Sequence, residues 1–321
     1  MKKYNSNGKL LLTSEYLVLD GSKALAIPTR FGQDLIVEKI KETSLIWESF
    51  DVARNCWFQA EFRLPDLRIV NETFDTNSED SKESIAQTLQ KILLVAKKMN
   101  PDFLVSEEGF LVKTNLTFPR DWGLGTSSTL INNIAQWANV DAFELLQNSF
   151  GGSGYDIACA QNDLPISYQL DMTSFRKLSE PLSHRTPKVE IVEFNPSFTD
   201  QLFFVHLNSK QDSKKGIQRY KELKGKLAEE IKRVSEITDE MIACKSISEF
   251  EKLIVEHEEI ISKIIQNKPI KEILFADYFG AIKSLGAWGG DFVLVTGNEN
   301  TSAYFKQKGF DTVIPYKEMI L

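Results

Sequence analysis

The segment from Phe118 to Asn139, FPRDWGLGTSSTLINNIAQWAN, has the residue order of a strand end, a glycine turn and a helix. Gly123 and Gly125 allow the backbone to take positive φ and to approach a ligand closely. Thr126 to Ser128 then place three hydroxyls at the first turn of the helix, where unpaired N–H groups and the helix dipole favour an anion. The segment predicts a phosphate site, and on these residues alone an ordinary Ser or Thr helix cap is an equal alternative.

Two charged residues elsewhere are candidates for the same chemistry. Asp156 follows the glycine-rich turn Gly151 to Gly154, where a carboxylate could orient or deprotonate a hydroxyl nucleophile. Lys9 stands at the start of the first apolar segment and could pair with a phosphate or a carboxylate. Taken singly, each fits a plainer role better: a helix cap for Asp156 and a surface lysine for Lys9.

Several common sites are excluded by their motifs. The sequence contains no GxxxxGK[ST], no GxGxxG after a strand and no GxSxG, which argues against a P-loop, a dinucleotide-binding Rossmann site and a nucleophile elbow. His184, His206 and His257 stand apart in the sequence. The apolar strand around His206 predicts a core histidine, and the charged helix around His257 predicts a solvated one, so no Ser/His/Asp arrangement is indicated.

The composition describes an acidic protein with an ordinary apolar content. The chain has 321 residues, 42% of them hydrophobic, a net charge of −7 and three separated cysteines. This balance gives no electrostatic reason to expect nucleic acid or an anionic membrane as a partner, and the cysteines argue against disulfides and zinc. No signal peptide or membrane span of ~18 apolar residues is recognisable. We therefore expect a cytoplasmic protein without nucleic-acid or membrane partners.

The periodicity of the chain predicts strands and helices in both halves. Lys9 to Leu19 is predicted as two short strands, and the first third of the chain as mostly β. Ser81 to Met99 has a helical period, and two long helices are predicted at about Ser213 to Ile237 and Ser248 to Ile265. The polar stretch Thr173 to Lys188 is the candidate domain boundary. This mixture favours an α+β fold over a doubly wound parallel sheet.

Four segments, taken in order, resemble the motifs of the GHMP kinase superfamily, which includes galactokinases, homoserine kinases, mevalonate kinases and phosphomevalonate kinases. They are GKLLLTSEYLVLDG (Gly8 to Gly21), PRDWGLGTS (Pro119 to Ser127), GSGYDIA (Gly152 to Ala158) and KSLGAWGGDFVLVTG (Lys283 to Gly297). Together they span nearly the whole chain. The last segment departs from the family pattern, because Trp288 and Asp291 interrupt its glycine run.

The resemblance implies a fold and an activity. The implied fold is a ribosomal-protein-S5-like, ATP-binding N-terminal domain, residues 1–175, and a ferredoxin-like C-terminal domain, residues 176–321. The implied activity is transfer of the γ-phosphoryl group of ATP to a small acceptor, with mevalonate or phosphomevalonate expected; the Glu15-Tyr16 dipeptide favours the phosphomevalonate branch. A diphosphomevalonate-decarboxylase-like enzyme and a non-catalytic ATP-binding sensor or scaffold are the alternatives. A monomer or a homodimer is expected.

The resemblance also implies roles for individual residues. The ATP phosphates would be cradled by Gly123, Leu124, Gly125, Thr126, Ser127 and Ser128. Ser127 would touch Mg²⁺, Asp156 would act as base or orienter, and Lys9 would stabilise that aspartate and the transferring phosphoryl group. The expected substrate contacts are Glu15, Tyr16, Ser153, Gly154 and Gly289. Because the path from Ser127 to Asp156 is shorter than in mevalonate kinases, Glu144 is the only nearby candidate for a second magnesium ligand.

Overall fold

The computed structural model describes residues 1–74, 84–105, 108–172, 187–209, 213–223 and 225–321. The chain forms two compact units, each assembled from separate segments. The first unit consists of residues 1–8, 31–120 and 125–161, and the second of residues 9–30, 121–124 and 162–321. Strands and helices occur in both units, which confirms the predicted α+β class.

The described residues form twelve strands and ten helices. The strands are β1 (Lys2–Leu11), β2 (Ala24–Ile40), β3 (Ser44–Phe50), β4 (Cys56–Arg63), β5 (Arg68–Phe74), β6 (Gly109–Leu116), β7 (Ile166–Leu170), β8 (Pro187–Ile191), β9 (Leu202–His206), β10 (Ile282–Ser284), β11 (Phe292–Thr296) and β12 (Val313–Pro315). The helices are α1 (Ile85–Met99), α2 (Thr126–Ala138), α3 (Ala142–Ser149), α4 (Tyr155–Gln161), α5 (Ser213–Leu223), α6 (Ala228–Ala243), α7 (Ile247–Ile265), α8 (Ile270–Leu274), α9 (Thr301–Gln307) and α10 (Tyr316–Met319).

The first unit is built on a sheet with the strand order β5-β4-β3-β6-β2. Its neighbouring strands are antiparallel except for β3 and β6, which run parallel. The core of this unit joins sheet residues such as Trp47 and Phe62 to helix residues such as Leu93 and Ile134. Burial of these apolar side chains is the main favourable term for such a layered structure.

Helix α2 is buried on more sides than its apolar residues alone require. The helical period predicts a buried stripe of Leu130, Ile131, Ile134 and Ala138; the last three are buried and Leu130 is half-buried. Asn132 and Asn133 are buried as well, and both bond the Ser6 hydroxyl, at 2.9 and 2.8 Å. Because these polar groups have hydrogen-bond partners, their burial is tolerated. The bonds to Ser6 attach α2 to β1.

The second unit contains an antiparallel sheet with the order β10-β11-β9-β12. Its core includes Val205, Val293 and Val295 from the strands, with Phe275 and Phe305 packed against them. Also in this unit, the first residues of β2 pair with β7, and β7 pairs with β8. Within the described ranges, no helix has the length and apolar character needed to span a membrane.

The structure corrects two of the predicted elements and adds one. The second strand predicted before Leu19 is a short 3-10 helix, Leu17–Asp20, because Tyr16 has a φ of 64° and cannot continue a strand. The long helix predicted from Ser213 is two helices, α5 and α6, with Gly225 between them, and glycine is a poor helix former. Strand β5 was not predicted. Of the boundary predicted at 173–188, residues 173–186 lie outside the described part.

The start of α1 offers a test of local helix capping. Ser84 accepts a hydrogen bond from the Gln87 N–H, and the Gln87 side chain accepts one from the Ser84 N–H. We expect Ser84→Ala to lower the free energy of unfolding by about 1 kcal/mol, because it leaves an N–H of the first turn without a partner. Ser246 begins α7 without a side-chain cap bond, so Ser246→Ala should change the urea midpoint far less. Equal effects of the two substitutions would contradict this account.

Candidate active site

The glycine turn before α2 is bonded to the first strand. Gly123 has a φ of 65° and Gly125 a φ of 95°, both in the region that glycine tolerates best. The Lys9 N–H donates to the Leu124 carbonyl at 3.0 Å, and the Lys9 ammonium donates to the Gly123 carbonyl at 2.9 Å. The half-buried Lys9 is therefore part of the turn, and its positive charge lies beside the turn's backbone.

Asp291 contacts the same turn, and it directly follows the third glycine run of the chain, Gly286 to Gly290. A Cβ atom built on Gly123 would lie 2.3 Å from the carboxyl carbon of Asp291, a distance that no real pair of atoms could keep. Asp291 is only 8% exposed, and its backbone is bonded to Ser209 and Leu207. Gly123 is thus required for space as well as for backbone conformation, and Asp291 is a packing partner of the turn.

The first turn of α2 has the features of an anion site. Gly125 is the N-cap and no side chain caps the helix within the described residues. The Thr129 N–H makes a bond to the Gly125 carbonyl at 3.0 Å, and the N–H groups of Thr126 to Ser128 precede it. Such groups have no partner inside a helix, and together with the dipole they favour an anion.

The two serines of this turn differ in exposure. The helical period of α2 predicts that Ser127 and Ser128 are both exposed, and Ser127 is exposed. Ser128, predicted to be exposed with it, is buried, and its hydroxyl donates to the Gly125 carbonyl at 2.9 Å. Ser128 therefore stabilises the turn from inside with its side chain, and only its backbone N–H faces the helix start.

Asp156 lies in the first unit, inside the first turn of α4. The helix begins at Tyr155, so Asp156 does not occupy the cap position before it. Its carboxylate accepts the Ile157 N–H at 3.1 Å and is half-buried. Gly152 and Gly154, with φ of 118° and 90°, form the turn in front of it. A carboxylate in a helical first turn is favoured by the dipole, and this one is placed by a turn that needs glycine.

The predicted metal ligands are found on exposed helical positions. Glu144 lies on the exposed side of α3, where its N–H bonds the Asp141 carboxylate at 2.8 Å. Among the residues that the structure describes, no group of three or more His, Cys, Asp or Glu side chains could hold a metal ion. A cation in this region would therefore rely on isolated oxygen ligands.

Glu15 belongs to a buried charged cluster in the second unit. Its carboxylate is 0% exposed and contacts the ammonium of Lys283 at 2.5 Å. Lys283 also contacts Glu258, at 3.1 Å, and Glu258 accepts the Ser284 hydroxyl at 2.8 Å. His257 Nε2 lies 3.4 Å from Glu15. We call Glu15, His257, Glu258 and Lys283 the buried charged cluster.

Burial governs ionisation in the buried charged cluster. It raises the pKa of Glu15 to about 7, against the opposing effect of the Lys283 ammonium, and it also raises the pKa of Glu258. It lowers the pKa of His257 well below 6.5, and Lys283 lowers it further. Because His257 Nε2 accepts the Ser14 N–H at 2.9 Å, the ring is neutral.

The prediction that His257 is solvated was wrong, and its helix carried the contrary signal. The buried residues of α7 include Phe250, Ile254, His257, Ile261 and Ile264. This spacing of three or four residues defines one helical face, so the periodicity places His257 in the core despite its charged neighbours. His206 is buried as predicted, and its Nε2 lies 3.3 Å from the Asp121 carbonyl oxygen.

Tyr16 and Trp288 show how the third glycine run is held. The Tyr16 hydroxyl donates to the Ala287 carbonyl at 2.7 Å, and its ring stacks on Tyr220 with centroids 5.6 Å apart. Trp288 has a φ of 56° and its buried side chain packs with Leu17 and Tyr220. Trp288, which departs from the family's glycine pattern, therefore anchors the third glycine run in an apolar core that includes residues of α5, α6 and α7. We call this group of residues the helical core. Gly289, with a φ of 97°, follows it.

Comparison with solved structures identifies the fold. Mevalonate kinase from Methanococcus jannaschii matches with a TM-score of 0.67 at 16% identity, covering 98% of this chain and 96% of that one. Phosphomevalonate kinase from Streptococcus pneumoniae, in complex with phosphomevalonate and AMPPNP, matches with a TM-score of 0.65 at 13% identity, covering 96% of each chain. Galactokinase from Lactococcus lactis, complexed with galactose, gives 0.62 at 13% identity, covering 96% and 88%.

The chain therefore has the fold of the GHMP kinases, as the sequence motifs predicted. No protein-family model matches it, and no curated protein matches it by sequence. At these identities the likeness concerns the fold, and the chemistry must be argued from the residues themselves.

The contact between Gly123 and Asp291 generates a stability prediction. We expect Gly123→Ala to cost roughly 1–2 kcal/mol for the left-handed backbone and about 1–3 kcal/mol more for the overlap with Asp291. Gly309→Ala is the control, because Gly309 lies in the same unit with a φ of 87° and no neighbour within 4 Å of its added Cβ. Denaturant unfolding measures both. Asp291→Gly should recover the additional loss in Gly123→Ala, and no recovery would contradict the proposed overlap.

The raised pKa of Glu15 generates a pH prediction. The folded protein retains a proton on Glu15 between pH 4.5 and about 7, whereas the unfolded chain releases it at the lower value. This stabilising contribution is complete below pH 4.5 and is lost as the pH rises through 7. We expect the stability of the wild type relative to Glu15→Gln to fall by roughly 2 kcal/mol between pH 5 and 8. A difference in free energy of unfolding that stays constant with pH would refute this.

Proposed function

We propose that this protein is an ATP-dependent phosphotransferase acting on a hydroxyl or phosphate group of a small molecule. The observation that carries the proposal is the start of α2, which has a left-handed Gly125 as N-cap, no side-chain cap and an exposed Ser127. In a chain with the fold of the GHMP kinases, this arrangement supports binding of the phosphates of ATP. The S. pneumoniae phosphomevalonate kinase, whose structure contains AMPPNP, supports ATP as donor.

The proposed roles follow from charge and backbone placement. The segment Gly123 to Ser128 would donate backbone N–H groups to the phosphates. Lys9, whose ammonium is bonded to the Gly123 carbonyl, would place positive charge beside the transferring group. Asp156 would orient the acceptor hydroxyl or take its proton. Phosphoryl transfer depends mainly on such positioning and charge stabilisation.

We propose Mg²⁺ as the accompanying cation, with Ser127 and Glu144 as its protein ligands. Mg²⁺ prefers oxygen ligands and is commonly held by one or two protein groups together with substrate phosphates and water. The isolated oxygen groups of the first unit fit this pattern better than they fit a dedicated metal site. When bound, the ion would supply positive charge to the phosphate oxygens.

For the acceptor we propose mevalonate or phosphomevalonate. Mevalonate kinases and a phosphomevalonate kinase are among the structural neighbours, and Glu15-Tyr16 resembles the phosphomevalonate branch. Ser153, Gly154, Gly289 and Tyr16 remain the proposed substrate contacts. We retain 1–175 and 176–321 as proposed domains, and the cytoplasmic location and the monomeric or dimeric state remain predictions.

A substrate panel tests the activity. Purified protein with Mg-ATP is assayed by coupled ADP release with mevalonate, phosphomevalonate, diphosphomevalonate, homoserine, galactose and a heptose phosphate. The proposal expects ADP release with one acceptor and a phosphorylated product. Release of CO₂ from diphosphomevalonate would indicate the decarboxylase. Binding of ATP with no turnover on any acceptor would indicate a sensor or scaffold.

Asp156→Asn tests the role of the carboxylate. The substitution keeps the shape of the side chain and removes its charge and basicity, so we expect kcat to fall at least ~100-fold, a typical contribution of a general base. The Kd for ATP should change only a few-fold. Asp141→Asn is the matched control, because Asp141 caps α3 and asparagine caps equally well. Retention of wild-type kcat in Asp156→Asn would remove Asp156 from the mechanism.

A further inference from the structure

Lys283 is held in the buried charged cluster by two hydrogen bonds and an ion pair. Its ammonium, 1% exposed, contacts Glu15 Oε1 at 2.5 Å, the Ser284 carbonyl at 2.5 Å and Glu258 Oε1 at 3.1 Å. Two of the three N–H donors of the ammonium are therefore used by Glu15 and Ser284, and Glu258 Oε1 lies at ion-pair distance. Lys283 is therefore placed to fix protein segments relative to one another, and its ammonium is not available to a ligand.

The position of Lys283 in the chain makes this attachment consequential. It lies in β10, three residues before the glycine run Gly286 to Gly290. Glu15 anchors the start of that run through Lys283, and Tyr16 anchors its middle through the bond to the Ala287 carbonyl at 2.7 Å. Two consecutive residues, Glu15 and Tyr16, thus hold the third glycine run at two points, Lys283 just before it and Ala287 within it.

The backbone around Glu15 indicates that the attachment works against local preference. Ser14 and Tyr16 have φ of 68° and 64°, and residues with a Cβ atom rarely adopt this region. Such conformations persist only where the surroundings enforce them. Here the Ser14 N–H bond to His257 and the hydrogen bond from Lys283 to Glu15 supply that enforcement.

The residue after the third glycine run in turn contacts the glycine turn before α2. Asp291 packs against Gly123, and Lys9 bonds the Gly123 carbonyl. All of these residues belong to the second unit. Contacts join Lys9 to Gly123, Gly123 to Asp291 and Lys283 to Glu15, and the chain itself joins Lys283 to Asp291 and Lys9 to Glu15, so that the path closes.

We propose that Lys283 is a positioning residue for phosphoryl transfer: by binding Glu15 and Glu258 it fixes the third glycine run against the first segment, and thereby Asp291 against the Gly123 turn. The inference rests on the proposed function. In this arrangement Glu15 acts as a structural partner of Lys283, in place of the substrate contact expected from the sequence.

A charge-neutral variant separates positioning from stability. Lys283→Met alone leaves two buried carboxylates without their partner and destabilises the fold. Glu15→Gln/Glu258→Gln/Lys283→Met leaves no unpaired charge, so we expect a thermal midpoint near that of the wild type. We expect its kcat for ADP release to fall at least about tenfold with a KM for ATP within about threefold, the pattern of lost transition-state positioning. Restoration of kcat together with stability would overturn the proposal.

Two further variants complete the test. Lys271→Met is the control, because Lys271 is a lysine of the same unit whose ammonium donates to the Gly280 carbonyl at 2.6 Å; its kcat should match the wild type. Glu15→Gln alone covers the case in which the triple variant does not fold. Positioning predicts a lower kcat at an unchanged KM for the acceptor, whereas a rise in that KM at unchanged kcat identifies a substrate contact and overturns the proposal.

A readout without turnover separates this inference from the proposed function. Amide hydrogen exchange of residues 283–291 is measured in the wild type, Lys271→Met and Glu15→Gln, and in the triple variant if it folds. Loss of the attachment should speed exchange of this segment about tenfold relative to Lys271→Met, because local opening sets the exchange rate. Unchanged exchange overturns the positioning role. Absence of turnover in the wild type overturns the kinase proposal and leaves the exchange result to decide for Lys283.

Discussion

One buried ammonium group governs how the second unit is assembled. Lys283 is 1% exposed and faces two carboxylates that are nearly as inaccessible, Glu15 and Glu258. Removing ions from water costs several kcal/mol for each one, so the cluster depends on the close contacts of Lys283 with both carboxylates. That requirement limits where the first segment, α7 and β10 can lie relative to one another. The third glycine run begins two residues after the end of β10, so the position of β10 also determines the position of the run.

A second constraint is the left-handed backbone at the glycine turns. Gly123 needs glycine twice, for its φ and for the Asp291 side chain beside it. Gly151 and Gly152 need it only for φ, since an added Cβ would meet nothing within 4 Å. The two turns therefore differ in how well they would tolerate a larger residue. At the first turn a side chain would strain the backbone and also overlap with another segment of the second unit, whereas at the second turn it would only strain the backbone.

The features that could be predicted from the sequence are those with a local signal. The glycine turn, the start of α2 and the Asp141 cap of α3 depend on residues within a few positions of each other, and the structure contains them. The pairing of Glu15 with Lys283 joins residues 268 positions apart, and the sequence around either residue does not indicate which residue it pairs with. The burial of Ser128 depends likewise on how α2 packs in three dimensions. His257 differs, because its burial does have a local signal: the helical spacing of α7 places it on the apolar face despite its charged neighbours.

Trp288 gives the third glycine run an unusual property. Its side chain occupies the helical core while its backbone keeps the left-handed conformation that glycine adopts with least cost. Replacing it by glycine would relax the backbone and at the same time leave an indole-sized cavity among Leu17, Tyr220 and Ile261. Apolar cavities of that kind can stay dry and accept small aromatic molecules. The position thus offers a chemical handle, through which an added indole or benzene could restore the packing of the run in a protein that lacks the side chain.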